Sequence, residues 1–296
     1  MLIVIGLLCV FAAVLGGFAM EKGNLLVLLQ PSELLIICGA AIGIVLVSNP
    51  PRQMRQTWRA VQTIFRPSRY TPAFYLSTLR MLYEVFSFAR RTGGPELESQ
   101  VEKPSQSPIF KRYPEFLNDV GARTFLCDSF RMAIAAGVAG AEMDRLMMLD
   151  MAAQKRENRQ PVTSLSAIAD ALPGLGIVAA VLGVVVTMQS LGGPASEIGH
   201  KVAAALVGTF MGILLCYGVV GPIAFHLQCR NDERAEYLQV MRVAMVAFMN
   251  GSSPLVAVEF GRRSIPEGVR PGFDQMEGAL RRGGSRTEAM AAVNGA

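Results

Sequence analysis

Long runs without charge set the frame of this chain. Four stretches contain no Asp, Glu, Lys or Arg: Met1–Met20, Leu34–Pro51 (apolar as far as Val47), Leu172–Leu191 and Val202–Cys229. Each is about as long as the ~20 apolar residues that a bilayer-crossing helix needs. Charges bound them: Glu21 and Lys22, Glu33 and Arg52, Asp170 and Glu197, Lys201 and Arg230. On this reading the spans hold no ionisable carboxylate, lysine or arginine, and Glu33 is a boundary residue. The first run has no basic segment ahead of it and a second span follows closely, so it reads as a retained helix rather than a cleaved signal.

Between the second and third spans the pattern changes to helical amphipathicity. Trp58, Val61 and Phe65 recur at helical spacing over Met54–Phe65, and Phe74, Leu79, Leu82, Val85, Phe86 and Ala89 form a broad stripe over Pro72–Arg91. Phe116–Gly137 and Ala141–Gln154 read as two further helices. Gly93, Gly94, Pro95, Pro104, Pro108 and Pro114 make Thr92–Pro114 a turn-rich stretch. An insertion of this length is too long for a plain loop. After the fourth span, Arg230–Asn250 is amphipathic, and the last dozen residues read as disordered. The expected architecture is an all-α integral membrane protein with a helical cytoplasmic insertion. Residues 1–50 carry spans one and two, 51–169 the cytoplasmic domain, 170–229 spans three and four, and 230–296 a cytoplasmic tail.

Composition and charge sharpen this picture. Half the residues are hydrophobic and 17% are charged, against about a quarter in soluble domains. Of 28 lysines and arginines, 26 lie in the insertion or the tail, which the positive-inside rule places in the cytoplasm with both termini. The basic pI of 9.1 follows from that asymmetry, and no basic-aromatic stripe suggests a nucleic-acid partner. The five cysteines form no CxxC pair, so neither a metal site nor a disulfide framework is expected. Gly174-Leu-Gly176-Ile-Val-Ala179 resembles a dinucleotide fingerprint but opens an apolar span with no strand before it. His200 and His226 have no partner at ligand or triad spacing. No nucleophile stands beside a base, and an enzyme is not expected.

The spans instead offer glycine, proline and hydroxyl groups. Pro173 opens the third span, either as an ordinary first-turn proline or as a hinge. Pro222 lies inside the fourth and removes a backbone hydrogen bond there; with Gly218 and Gly221 it predicts a kink. Thr209 either bonds its own helix or faces an ion path. Asp170 suits a cap of the third helix, with an ion entrance as the alternative. Gly39/Gly43 and Gly208/Gly212 are GxxxG pairs suited to close helix approach.

Four segments in order then resemble the MotA/PomA family of flagellar stator subunits: MLIVIGLLCVFAAVLGGFAM with QPSELLIICGAAIGI, LPGLGIVAAVLGVV, VGTFMGILLCYGVVGPIA, and PLVAVEFGRRSI. The resemblance covers nearly the whole chain. It implies an ion-channel subunit in the bacterial inner membrane, with lipid around its spans. Five copies would surround a MotB-like single-span, peptidoglycan-binding partner that supplies the ion-binding aspartate. Ion flow would drive torque on a FliG-like rotor switch protein. By position the resemblance assigns coupling to Pro173 and Pro222, the ion path to Thr209 and Ala180, and rotor contact to Arg90 and Glu98, with Arg91 as an alternative to Arg90. Ala180 stands where sodium-driven relatives tend to place a hydroxyl, so the expected coupling ion is the proton rather than sodium, with no cofactor. Two departures stand out: Val186 replaces a frequent histidine, and the 146–158 segment keeps only Asp150 and Glu157 of a frequent acidic run. The runner-up, an ExbB/TolQ-like proton-channel subunit, usually has three spans.

Overall fold

The computed structural model describes residues 2–189, 192 and 194–281, and among these the regular structure is entirely helical. Its main elements are α1 (Leu2–Met20), α2 (Pro31–Ser48), α3 (Pro51–Ile64), α4 (Pro72–Thr92), α5 (Gly94–Glu102), α6 (Pro114–Asn118), α7 (Val120–Ala136), α8 (Gly140–Met188), α9 (Ala195–Leu215), α10 (Gly221–Met249) and α11 (Pro254–Arg263), and residues 273–281 are helical as well. Four helical runs are long and apolar enough to cross a membrane: Leu2–Met20, Leu25–Ser48, Gly140–Met188 and Ala195–Met249. The chain divides into two compact units: residues 1–67 with 157–231, and residues 68–156 with 232 onward. The last dozen residues, expected to be disordered, lie outside the described residues.

In the membrane unit, the second span starts earlier than its uncharged run. Pro31 occupies the first helical position of α2, where its missing N–H costs nothing. Counted from there, 18 residues rise about 27 Å, near the thickness of the hydrocarbon core; counted from Leu34 the helix is a turn shorter. Glu33 thereby falls inside the helix, and it is buried, at 6% exposure. The expectation that no carboxylate lies within the spans is corrected by this side chain.

The third span also differs from expectation. It is the second half of α8, a helix of 49 residues that contains Pro161 and Pro173 in its interior. Pro173 is therefore not a first-turn proline, and exposed Asp170 is not an N-cap. No glycine stands ahead of Pro173 between Pro161 and Leu172, and the helix runs through the proline at the expense of one hydrogen bond. The separate helix expected at 141–154 is the start of the same element.

Near Pro222, where a kink is expected, the helical run widens into a π-helical turn over Cys216–Val220. Gly221 donates its N–H to the Cys216 carbonyl, five residues back. The wider turn accommodates a residue that cannot donate at position 222. A Cβ on Gly221 would come 2.8 Å from the Cys216 carbonyl oxygen, so glycine is what the turn needs.

At one end of this unit a polar knot ties helices together. Ser164 donates to Asn49 Oδ1 at 2.6 Å and accepts from Gln53 Nε2 at 3.2 Å. Asn231 donates to the Asn158 carbonyl at 2.7 Å, and Arg230 donates to the Arg66 carbonyl. Beside the knot, Ile64 of α3 packs with Val162, Leu165, Ala224 and Leu227.

The cytoplasmic unit is built on α4. Thr71 caps it by accepting from the Phe74 N–H, and Gly93, at φ +91°, ends it. The turn-rich reading of 92–114 is corrected in part: Gly94 and Pro95 open α5, which carries Leu97 and Val101 into the core. The stripe of α4 packs against Tyr237, Leu238, Met241 and Met245 of α10, Ala257 and Val258 of α11, and Met143 and Met147 of α8. Phe86 stacks on Phe248 with centroids 4.5 Å apart. Buried Asp119 caps α7 through the Ala122 N–H and pairs with Arg69 at 2.6 Å and Arg234 at 3.8 Å. Burial pushes the Cys127 thiol up to about 12, which leaves it a packing residue.

The EFGRR tail motif has a structural task here. Glu259 is gripped by Arg262 at 2.7 Å and Arg263 at 2.8 Å, and these hydrogen bonds hold its carboxyl below the usual range. A Cβ on Gly261 would fall 3.1 Å from Ala244 Cβ and 3.3 Å from the Val240 carbonyl, so this glycine lets α11 lie close on α10. Phe86→Ala removes a side chain with no exposed surface and is expected to cost about 3–5 kcal/mol. Limited proteolysis of the detergent-solubilised full chain checks this, with cleavage in 68–156 rising steeply.

Candidate ion-path crossing in the membrane unit

Ala180 and Thr209, the two residues expected along an ion path, come together where α8 crosses α9. The crossing is built from small residues, which lets backbones meet. A Cβ on Gly176 would lie 2.8 Å from the Gly208 carbonyl, 3.2 Å from Gly212 Cα and 3.3 Å from Thr209 Cα. A Cβ on Gly212 would lie 2.5 Å from the Leu172 carbonyl and 2.9 Å from Gly176 Cα. One on Gly183 would lie 2.7 Å from Ala205 Cβ, and one on Gly208 would lie 3.1 Å from Ala179 Cβ and 3.3 Å from the Ala180 nitrogen. The Gly208/Gly212 pair thus serves close approach within the chain. The Gly39/Gly43 pair does not, because nothing lies within 4 Å of a Cβ on either.

This geometry brings Ala180 and Thr209 to one crossing, both half-buried. Pro173 is one residue from Leu172, whose carbonyl faces Gly212. Pro222 stands apart, exposed and just past the π turn. Thr187, buried, donates its hydroxyl to the Gly183 carbonyl at 2.8 Å.

Into the same crossing reaches Glu33 from α2. Its Oε2 would be 2.6 Å from a Cβ on Gly208 and its Oε1 3.3 Å from one on Gly183. Sequence reasoning treats Glu33 as a boundary charge, meets Gly176 only in the rejected dinucleotide pattern, and does not single out Gly183 or Thr187. The available signal was Pro31, a helix-start residue two positions before Glu33. The seven-residue interval from Gly176 to Gly183 was a second signal, since it keeps both on one helix face.

The proposed rotor-facing residues lie in the cytoplasmic unit. Arg90 is exposed at the end of α4 and donates to the Ser252 carbonyl at 3.0 Å. Arg91 is exposed as well, and Glu98 is half-buried on α5.

Apolar spans with an amphipathic helical insertion define a polytopic membrane protein with a substantial cytoplasmic domain. Its membrane unit centres on a small-residue helix crossing. Comparison with known proteins makes the class specific. A family model described as Motility protein A N-terminal matches residues 4–93, and one described as the MotA/TolQ/ExbB proton channel family matches residues 118–240. Motility protein A of Escherichia coli is 39% identical and that of Salmonella typhimurium 38%, each over 95% of both chains. Chemotaxis protein LafT of Vibrio parahaemolyticus is 34% identical over 92% of this chain. The fold is shared with the flagellar MotAB stator complex from Bacillus subtilis, with a TM-score of 0.71, 22% identity, and coverage of 86% of this chain and 92% of that one. It is also shared with C. jejuni MotAB, with a TM-score of 0.74, 18% identity, and coverage of 90% and 95%.

The chain belongs to the motility protein A family of flagellar motor stator subunits. Members are ion-conducting channel subunits, not enzymes, and this one is a multi-pass inner-membrane protein with cytoplasmic termini. The second family model spans the ExbB and TolQ branch too; the match over 4–93 and the 95% coverage of the E. coli and Salmonella relatives select the motility branch.

Gly212→Ala is expected to force α8 and α9 apart, because the new Cβ meets backbone that cannot rotate away. Gly16→Ala, with nothing within 4 Å of its Cβ, leaves the fold of the chain intact. Membrane levels and protease resistance of the two variants side by side check the contrast.

Proposed function

We propose that this chain, together with a MotB-like single-span partner, forms the proton channel of a flagellar stator whose ion flow drives torque on the rotor. The observation that carries this reading is the colinear match to two motility A proteins over 95% of both chains. Five copies surround two copies of the partner, and rotation of the ring pushes on a FliG-like rotor switch protein.

Within this reading each singled-out residue has a task. Protons pass along the α8/α9 crossing beside Ala180 and Thr209, with Asp170 toward one end of the path. Ala180 brings no oxygen, which disfavours a dehydrated sodium ion needing several oxygen ligands. Pro173 and Pro222 couple the ion step to movement of the cytoplasmic unit: the chain passes between the two units inside α8 and inside α10. Exposed Arg90 and Arg91 with half-buried Glu98 steer the rotor by charge, an interaction that added salt screens.

Two measurements test this. Motility should follow the proton gradient: a protonophore stops swimming and removal of sodium does not. Swimming that survives the protonophore and follows the sodium gradient overturns the ion assignment. Arg90→Glu and Glu98→Lys, singly and together, should cut torque measured on tethered cells while membrane levels hold. Unchanged torque in these reversals and in Arg91→Glu removes the rotor-contact assignment.

A further inference from the structure

Glu33 is the anomaly of the membrane unit. It is 6% exposed, and its Oε2 is buried with no hydrogen-bond partner among the described residues. Buried polar atoms are ordinarily satisfied, and one that is not calls for an explanation. The seat is shaped for it. The side chain reaches from the first turn of α2 to the crossing of α8 and α9, where Gly183 and Gly208 leave the space that two Cβ atoms would fill. The facing stretches bring no competing titratable group: none lies in Leu172–Met188 of α8 or Val202–Leu215 of α9. Glu197, His200 and Lys201 occupy the first turns of α9, and α1 offers Cys9 alone.

We propose that Glu33 is a proton-binding site of this chain, a carboxyl relay at the end of the path where α2 begins and additional to the partner's carboxylate; the proposal rests on the channel reading above. The ligand is a proton rather than a metal cation. The residues that line the seat, Ala179, Gly183, Ala205 and Gly208, add no side-chain oxygen. An unpaired carboxylate among apolar atoms is costly while the neutral acid is far less so, so taking a proton and seating between the helices are one event. The step balances simply. Water on the side where α2 begins gives a proton to the Glu33 carboxylate, the neutral acid seats at the crossing, and the same proton then passes to the partner's carboxylate. The Glu33 carboxylate is regenerated. Intramembrane carboxyls commonly serve as such relays.

The test is proton flux into vesicles that hold the chain with its single-span partner, with rotation speed in cells alongside. Glu33→Gln keeps the shape and removes the titrating oxygen. The expected result is a normal yield of complex with flux and speed reduced by about a hundredfold, and partial flux restored by Glu33→Asp. Flux of Glu33→Gln equal to wild type assigns Glu33 a packing role and overturns the proposal, leaving the channel reading intact. Absence of flux from the wild-type complex sinks both. Should Glu33→Gln fail to assemble, the intact wild-type complex is treated with dicyclohexylcarbodiimide, which modifies protonated carboxyls in apolar sites. Mass-spectrometric labelling at Glu33 that tracks loss of flux, in complexes whose partner carboxylate is unlabelled, supports the proposal, and labelling at Glu33 with flux unchanged overturns it.

Discussion

The membrane unit depends on how closely two backbones can approach. At the crossing of α8 and α9 the helices touch through Gly176, Gly208 and Gly212, and a Cβ added at Gly176 or Gly212 meets a carbonyl or an α-carbon rather than a flexible side chain. Lipid tails are as apolar as leucine, so burial of apolar area does not drive spans together; dispersion across a tight interface does. The contact also sets register. Gly212 faces the Leu172 carbonyl, one residue before Pro173, and Gly208 faces Ala179 and Ala180. Residues that the family resemblance links to ion passage and coupling are therefore placed by an interface that cannot slide without a clash.

That closeness creates a further need. Helices packed on glycine leave room for a third element, and α2 supplies Glu33 there. A carboxyl between glycines has few neighbours able to bond it, which is why its Oε2 stands unsatisfied. The two irregularities of the inner half answer to proline instead. Pro173 is carried within a long helix at the expense of one hydrogen bond, whereas Pro222 is relieved by a π turn that admits glycine and no larger residue at 221. Only the second proline has glycines just before it, Gly218 and Gly221, and there the helix widens.

In the cytoplasmic unit stability comes from ordinary burial. Aromatic and aliphatic side chains of α4 meet those of α7, α10 and α11 in one core, and the arginines around Asp119 and Glu259 neutralise carboxylates at its margins. Arg90 lies at the edge of this core, anchored to Ser252, so its position is set by the junction of α10 and α11 as well as by α4.

Much of the protein could be read from the order of its residues. Uncharged runs long enough for a bilayer, the gathering of lysine and arginine in the insertion and tail, and the stripe of α4 each depend on local spacing, and local spacing is what a sequence carries. Pro222 with its glycines announced a break for the same reason. Glu33 was misjudged because charge next to an apolar run looks like its boundary; burial depends on what packs against the first turn of α2, and Gly183 and Gly208 are more than a hundred residues away. Pro173 was misplaced because hydropathy marks where a span enters the apolar phase, not where its helix starts. The pairing of Gly176 with Gly208 and Gly212, and the carboxyl seated beside it, were decided by tertiary packing, since close contact between distant segments has no signature in either segment alone.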